Sequence, residues 1–392
     1  MSVAVEEKAV RAEDRPPLWE LAGAGRGVLT AVGIFALTRI AQLIMLAWLG
    51  HAAADGDSLR SRLLVWDGGW FLRVAVNGYP HGYTYGAGHH LEGNELAFFP
   101  LYPMLIRGGA ALGMSAQTAA IGVSWLASIG AAVALHLLGT TLYGKRAGWA
   151  LVAICCTAPV SVVLSMAYSE ALFLALVAGM LAAAHRKVWW AAGLLGLGCA
   201  LTRPTGAAAA LALTVAAIMA VRESRTKAWQ PLFAAAVALA GVPLFLIWVG
   251  LRVGDPSAWF RIQTAGWGTS FDFGRSTWTF LRETLSAGDG WVPVSVALIL
   301  LVALAAAGVA LAGKPWLPLA VYGVVAMVLV YGQAGFYHSK PRLLLPVLLT
   351  LLPAAVAAAR ARPRVAVLAI VAWAAFGLWY GAYLVAVWPY TI

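Results

Sequence analysis

The chain has 392 residues, of which 62% are hydrophobic and only 11% are charged, and its formal net charge is +11. A soluble domain carries about 25% charged residues, so this composition excludes a soluble globular fold. The cations are scattered among short loops rather than gathered on one basic face, which excludes nucleic acid as a partner. Apolar runs of about 20 residues, each long enough to cross a bilayer, recur from Val28 onward. They predict an all-α polytopic membrane protein in contact with membrane lipids.

The residues before the first apolar run, 1–27, mix acidic and basic side chains with Pro16 and Pro17, and they lack the apolar core of a signal peptide. We expect a cytoplasmic N-terminal tail here, followed by a single transmembrane domain over residues 28–392. The apolar runs are rich in alanine and glycine, which indicates close helix packing and fits a high-GC bacterial genome. The expected location is therefore a bacterial plasma membrane.

Short basic loops between the apolar runs set the predicted orientation. The positive-inside rule places these loops in the cytoplasm with the N-terminal tail; they contain Lys145, Arg146, Arg186, Lys187, Arg222, Arg225, Lys227, Lys314, Arg360, Arg362 and Arg364. Two long segments, residues 51–117 and 253–290, then become loops on the outer face. The N-terminal tail and the loop at Lys145 lie on the same side, so the chain between them must cross the membrane an even number of times. The apolar run Leu96–Met114 is therefore expected to lie in the interface instead of crossing. About 11 transmembrane helices and an outer C-terminus result.

The first outer loop carries the densest group of polar and aromatic residues. Its segment Ser58–Val76 is expected to form one amphipathic helix in the membrane interface, anchored by its tryptophans. Asp67 lies in this aromatic belt, where partial removal from water makes a carboxylate a better general base. The alternative is a structural role for Asp67, as a helix cap or as the partner of Arg62 or Arg73.

Further ionisable residues occur at the predicted outer ends of later helices. Arg203 interrupts a long apolar stretch at a turn that needs a proline and a glycine but no arginine, and an arginine in low dielectric is a natural clamp for a phosphate. Glu170 begins a helix, where capping is the alternative explanation. His338, Lys340 and Arg342 cluster at the end of another span, and snorkelling to the interface is the alternative for the last two.

A metal site and a nucleotide site are both disfavoured. His89, His90 and Glu92 lie on a glycine-rich stretch without the i, i+4 spacing of a helical metal site and without nearby cysteines, so a solvated loop is expected. The sequence contains no P-loop, no dinucleotide-binding fingerprint and no nucleophile elbow. That pattern argues against a nucleotide-driven pump and leaves no obvious soluble cofactor.

Four blocks of sequence carry a family resemblance. They are Trp66–Tyr79 with Glu95–Pro103, then Ser169–Phe173, Thr202–Gly206 and Tyr337–Arg342. In this order they resemble the family of the second mannosyltransferase of glycosylphosphatidylinositol assembly (PIG-V-like) and its bacterial relatives. Pro204 and Thr205 stand where that family has a serine and an asparagine.

The resemblance implies a GT-C glycosyltransferase that uses a polyprenyl-phosphate sugar, with mannose expected, on the outer face. It implies an inverting reaction in which Asp67 takes the proton of an acceptor hydroxyl that attacks the sugar C1. Arg203, Lys340 and Arg342 would then stabilise the departing lipid phosphate, so that neither a metal nor a separate cofactor is needed. The matched blocks add four candidates for substrate binding, which are Tyr79, Glu95, Glu170 and His338.

Two other classes of function stay open on the sequence. A transporter or flippase of a lipid-linked sugar would also have many spans, but no pair of inverted repeats is visible and the polar groups collect at one face. A noncatalytic membrane scaffold would not need an acid and several cations on one side. The acceptor is equally open among a glycolipid, a growing glycan and a protein hydroxyl.

Overall fold

A computed structural model describes residues 25–54, 56–223, 229–390 and 392, and within these ranges the chain is a bundle of α-helices. The predicted tail, residues 1–27, falls almost entirely outside the described residues. The helices are α1 (Gly25–Ala53), α2 (Leu59–Arg62), α3 (Asp67–Asn77), α4 (Leu101–Ala111), α5 (Ala116–Tyr143), α6 (Lys145–Cys156), α7 (Glu170–His185), α8 (Trp189–Thr202), α9 (Gly206–Glu223), α10 (Trp229–Val253), α11 (Ala258–Trp267), α12 (Arg275–Ala287), α13 (Trp291–Ala312), α14 (Leu317–Gly332), α15 (Lys340–Leu344), α16 (Leu352–Arg360) and α17 (Pro363–Ala386). A short antiparallel pair, β1 (Thr84–Tyr85) and β2 (Leu91–Glu92), interrupts the first long loop.

Among the described helices, six are long and apolar enough to cross a membrane, namely α1, α5, α9, α10, α13 and α17. Three shorter apolar helices, α7, α8 and α14, pack among them. The prediction of an all-α polytopic membrane protein is confirmed. The number of about 11 spans stays a prediction, because it requires the broken stretches 145–164 and 340–360 to cross as well.

The segment Leu96–Met114 folds in a way that agrees with an interfacial position. Its helix, α4, has 11 residues, which at 1.5 Å per residue measure about 16 Å, well short of the ~30 Å hydrocarbon core. It packs against α3 and α5. The prolines and Arg107 that motivated the prediction lie within this helix or at its start.

The single helix expected over Ser58–Val76 is wrong, because the chain breaks between α2 and α3. Trp66 adopts φ 54° and ψ −112°, a backbone conformation that is costly for a bulky residue. The carbonyl of Leu63 accepts a hydrogen bond from the Ala167 N–H at 2.8 Å, so a contact from another part of the fold holds this break. As a consequence, Asp67 is the first residue of a new helix.

Glycine and alanine bring neighbouring helices together closely, as the composition predicts. A Cβ added at Gly196 of α8 would lie 2.8 Å from the Ala238 Cβ of α10, and one at Gly241 would lie 2.6 Å from the Ala200 Cβ. Contacts of this kind let helix backbones approach each other, and this is the usual packing mode in membranes.

The predicted basic loops gather at one end of the bundle. Trp149, beside Lys145 in sequence, donates its indole N–H to the carbonyl of Gly27 at 3.2 Å. Lys187 forms an ion pair with Glu223 at 2.9 Å. The start of α6 therefore lies beside the start of α1, and the end of α7 lies beside the end of α9. The candidate site residues lie at the opposite end.

Residues 157–169, between α6 and α7, are largely non-helical and yet fully buried. Buried backbone polar groups require partners, and at membrane depth irregular backbone is tolerated only inside protein. Arg39, itself 0% exposed in the middle of α1, donates to the carbonyls of Cys156 and, at 2.6 Å, Ser161. This role of Arg39 was not predicted from the sequence, although a cation inside the first apolar run was a visible signal.

Helix α5 supplies the other donors to this buried segment. The Ser128 hydroxyl donates to the Leu164 carbonyl at 2.8 Å, and the Ser124 hydroxyl donates to the Tyr168 carbonyl at 3.2 Å. The segment is thus held from two sides. Its last residues lead directly into the start of α7, where Glu170 lies.

Candidate functional site

A cavity of about 360 Å³ opens at the end of the bundle opposite the basic loops. One part of its wall is charged or polar and includes Asp67, Ser169, Thr202, Arg203, Ser339, Lys340 and Arg342. The other part is largely aromatic and includes Phe71, Phe98, Trp259, Phe260, Trp267, Phe271 and Phe336. The cavity therefore brings together residues of all four matched blocks and residues of a further segment, 259–271.

Asp67 faces this cavity from the first position of α3. Its Oδ2 lies 2.6 Å from a terminal nitrogen of Arg342, and its side chain is 20% exposed. The structural partners considered from the sequence are engaged elsewhere: Arg62 donates to the carbonyl of Ala386, and Arg73 pairs with Glu95. The helix N-terminus and Arg342 both stabilise an ionised carboxylate.

Glu170 joins Asp67 to Arg203 through a chain of alternating charges. Its Oε1 lies 2.7 Å from Arg203 and 3.6 Å from Arg342, and its own side chain is only 2% exposed. A buried carboxylate requires paired cations, and here two arginines supply them. Glu170 is the first residue of α7, so the helix dipole also favours its charge, but capping alone does not explain two ion pairs.

Tyr168 completes the buried side of this network. The guanidinium carbon of Arg342 lies 5.0 Å from the centre of the Tyr168 ring, a cation–π distance. Tyr168 and Glu170 therefore contact the same cation from one short segment of chain. Arg342 is fixed by a carboxylate on each side and by an aromatic face.

Lys340 and Arg342 do not snorkel to the interface, because they are 3% and 9% exposed. The Lys340 ammonium donates to the carbonyls of Val330 and Gln333 at 2.8 and 2.6 Å, at the C-terminal end of α14. These bonds fix the lysine at the cavity wall. The alternative explanation offered from the sequence is wrong for both residues.

All four candidates for substrate binding, Glu170 included, lie outside the cavity lining. The Tyr79 hydroxyl donates to the Phe98 carbonyl at 2.8 Å, and Glu95 pairs with Arg73 at 3.1 Å. His338 is buried and stacks on Phe336. Tyr79 and His338 thus contact the cavity only through its aromatic wall, at Phe98 and Phe336, and a direct role in substrate binding stays a prediction for all four candidates.

The aromatic wall depends on α11, which the sequence analysis treated only as part of an outer loop. Trp259 and Gln263 of α11 both donate side-chain N–H groups to the carbonyl of Ala97, at 3.3 and 3.1 Å. Trp267 packs edge-on against Phe98 with ring centres 5.4 Å apart. The signal for this wall was the aromatic spacing in residues 253–290, which could not show which residues it would meet.

The described residues contain no group of three or more His, Cys, Asp or Glu side chains placed to hold a metal ion. His90 and Glu92, considered from the sequence, form a side-chain pair at 3.3 Å on the exposed hairpin. The predicted solvated loop is thus partly ordered as β1 and β2. The cations that line the cavity are the side chains of Arg203, Lys340 and Arg342.

The fold and the cavity define a multi-pass membrane protein with an acid and several cations gathered at one end. Residues 49–241 match the model of the family described as "Mannosyltransferase (PIG-V)". Within this region the chain is similar to the PIG-V-like family. Asp67, Glu170 and Arg203 lie inside the matched region, whereas Lys340, Arg342 and α11 lie beyond it.

Named relatives agree with this family. The chain is similar to "GPI alpha-1,6-mannosyltransferase 2" of Mus musculus, with 34% identity over 161 residues, which cover 38% of this chain and 30% of the mouse protein. The protein of the same name from Cricetulus griseus is 33% identical over 150 residues, covering 36% of this chain and 28% of the relative. The matches therefore span less than a third of the length of these relatives.

Proposed function

We propose that the protein is a membrane mannosyltransferase of the GT-C class, which moves mannose from a polyprenyl-phosphate donor to an acceptor hydroxyl on the outer membrane face. The observation that carries the proposal is the cavity in which Asp67 meets Arg342 and Arg203. It holds a proton acceptor and an anion-binding group a few ångströms apart, and both are required for glycosyl transfer from a lipid phosphate.

In the proposed reaction, Asp67 takes the proton of the acceptor hydroxyl while its oxygen attacks the sugar C1. The bond from C1 to the phosphate oxygen breaks as the new bond forms, with inversion at C1. The lipid phosphate leaves with the bonding electrons and gains negative charge. Arg203, Lys340 and Arg342, which line the cavity, stabilise that charge by preorganised electrostatics.

The aromatic wall has the chemistry to hold the sugars of the reaction. Faces of tryptophan and phenylalanine pack against the C–H faces of sugar rings, and Gln263 and Gln333 offer neutral hydrogen-bonding groups nearby. The charged wall would thus bind the phosphate of the donor, and the aromatic wall would bind its sugar. The lipid tail would lie in the bilayer, which explains the use of a membrane enzyme.

A transfer assay in detergent separates this proposal from a flippase. Purified protein is mixed with undecaprenyl-phosphate mannose as donor and octyl α-mannoside or total lipid of the host membrane as acceptor. We expect release of undecaprenyl phosphate together with a mannosylated product. In detergent the protein no longer separates two compartments, so a flippase or a scaffold would release no undecaprenyl phosphate. Absence of release with either acceptor would contradict the proposal.

A further inference from the structure

Glu170 lies behind the cavity wall instead of in it. Its side chain is 2% exposed, and it is not among the residues that line the cavity, whereas both of its ion-pair partners, Arg203 and Arg342, are. A ligand in the cavity would therefore meet the arginines and not Glu170. Any influence of this carboxylate on a reaction in the cavity must pass through them.

We propose that Glu170 is a positioning residue that controls Asp67 through Arg342. This inference rests on the proposed function, in which Asp67 is the base. The nearest Arg342 nitrogen lies 2.6 Å from Asp67 and 3.6 Å from Glu170. One cation is thus shared between a carboxylate that faces the cavity and a carboxylate that does not.

Sharing the cation serves the two requirements of a base. Asp67 must be ionised and held in place, and a nearby guanidinium achieves both. A carboxylate that holds a guanidinium alone is a weak proton acceptor, because the attraction strongly favours its charged form. The negative charge of Glu170 offsets part of the Arg342 charge on the side away from the cavity, while the ion pair with Arg342 holds Asp67 in place.

In the described part of the chain, no other Asp or Glu side chain pairs with Arg203 or Arg342, and these two arginines are the cations that contact Asp67 and Glu170. Lys340 lines the same cavity, and its charged neighbour is Asp272. The other titratable side chains that the neighbouring elements turn toward this network are neutral at physiological pH, and they are Tyr102, Tyr168, Cys199 and Tyr322. Removal of the Glu170 charge therefore leaves Asp67 in a more positive environment.

The first test follows Asp67 without any turnover. A water-soluble carbodiimide modifies protonated carboxyl groups, and the modified Asp67 peptide is counted by mass spectrometry across a pH series. In Glu170→Gln we expect the midpoint of this curve to move to lower pH by about one unit, the lower end of the effect of one nearby charge. Glu170→Asp, which keeps the charge on a shorter side chain, should move it less.

The second test measures transfer from undecaprenyl-phosphate mannose to octyl α-mannoside. A misplaced and weakened base loses part of the 10²–10⁴-fold that a general base contributes, so Glu170→Gln should lower kcat by about tenfold or more. The KM for the donor should change less than kcat, and the pH at which activity rises should move down with the modification curve. Glu170→Asp should recover part of the rate.

The matched control is Glu223→Gln, which removes a carboxylate from the exposed ion pair with Lys187 at the other end of the bundle. It should leave both curves unchanged. A folded Glu170→Gln protein whose Asp67 curve superimposes on the wild-type curve overturns the inference, and so does a Glu170→Asp curve displaced further than that of Glu170→Gln. Failure of the wild-type protein to transfer mannose would instead contradict the proposed function, because the modification curves need no turnover.

Discussion

Charges alternate in one wall of the cavity and directly behind it, from Asp67 to Arg342, Glu170 and Arg203. At the scale of the residue this alternation explains how four ionised side chains can be largely removed from water. Each arginine has a carboxylate within 2.7 Å, and an isolated charge at the same depth would be strongly destabilising. The same arrangement leaves Arg342 and Arg203 facing the cavity.

Arg203 provides a prediction at this scale. Arg203→Ala should cost about 2–4 kcal/mol of transition-state stabilisation, because a preorganised charge on the leaving phosphate is lost. It should also destabilise the fold by about 3–5 kcal/mol, because Glu170 loses the nearer of its two partners. Both are measured on purified protein, as kcat/KM for mannose transfer and as the unfolding midpoint in detergent.

The control for this prediction is Arg203→Lys. It keeps the charge beside Glu170, so the unfolding midpoint should recover more than the activity does, since lysine lacks the bidentate fork. Wild-type kcat/KM in Arg203→Ala would contradict a role for this residue at the phosphate.

Sequence motifs could name the individual members of this network but not their pairing. Asp67 and Arg203 stood out because an ionised residue in an apolar stretch is costly and needs a reason. Glu170 looked like a helix cap, because its partners come from turns that are 33 and 172 positions away in the sequence. Pairing of that kind depends on how helices pack, and no local pattern encodes it.

At the scale of the element, the buried segment 157–169 fixes the site. It contains Tyr168 and leads directly into Glu170, and it is largely non-helical, with carbonyls that accept hydrogen bonds from donors of α1 and α5 in place of the helical pattern. Arg39 is the charged member of that donor set. The break between α2 and α3 depends on the same segment, through the bond from Ala167 to Leu63.

Replacement of Arg39 tests this dependence. Arg39→Leu should destabilise the protein by about 3 kcal/mol or more, since buried carbonyls lose their donor at about 1–3 kcal/mol each. Arg39→Lys should recover part of the loss. The measurement is the unfolding midpoint in detergent, and Arg60→Leu, at an exposed arginine in α2, should have little effect. Equal midpoints for Arg39→Leu and Arg60→Leu would contradict the account.

The contact between the β1–β2 hairpin and α11, which carries much of the aromatic wall, depends on pH. Asp255 joins these two elements. Its carboxylate accepts hydrogen bonds from the Tyr83 hydroxyl at 2.5 Å and from Ser257, and it pairs with Arg261 at 2.9 Å. These bonds, the Tyr83 bond first, hold the pKa of Asp255 well below its usual range. Burial and the bond to Asp255 raise the pKa of Tyr83 to about 12.

The sign of the resulting pH dependence follows from the lowered pKa. The Asp255 contribution is fully present above the unfolded value of about 3.9 and is lost as the pH falls below that value toward the folded pKa. The difference in unfolding midpoint between wild type and Asp255→Asn should therefore be constant near neutral pH and shrink below about pH 4. Asp289→Asn, in an exposed loop, is the control. A difference that grows as the pH falls would contradict the assignment.

At the scale of the whole molecule, the two ends of the bundle differ in chemistry. Basic loops occupy one end, where Lys187 meets Glu223, and the cavity with its long loops occupies the other. The alternation of charges along the sequence predicted this separation, because topology depends on where cations occur and not on packing. Element boundaries in the first loop were predicted less well, since the break at Trp66 is set by a distant contact.

The orientation of the two ends can be measured with single cysteines in intact cells. The native cysteines, Cys155, Cys156 and Cys199, are buried. A membrane-impermeant maleimide added from outside should label Ala87→Cys and Ala287→Cys, in the long loops, but not Ala312→Cys beside the basic turn at Lys314. Permeabilised cells should label all three. Labelling at position 312 in intact cells would place the cavity on the cytoplasmic face.

The central claim is that Asp67 is the general base of a mannosyltransferase, and Asp67→Asn tests it most directly. Asparagine keeps the shape of the side chain and removes its charge, so binding of undecaprenyl-phosphate mannose and the overall fold should persist. The rate of mannose transfer at saturating donor should fall by about 10²–10⁴-fold, the contribution of a general base. A folded Asp67→Asn protein that binds donor and transfers mannose at a near wild-type rate would contradict the account.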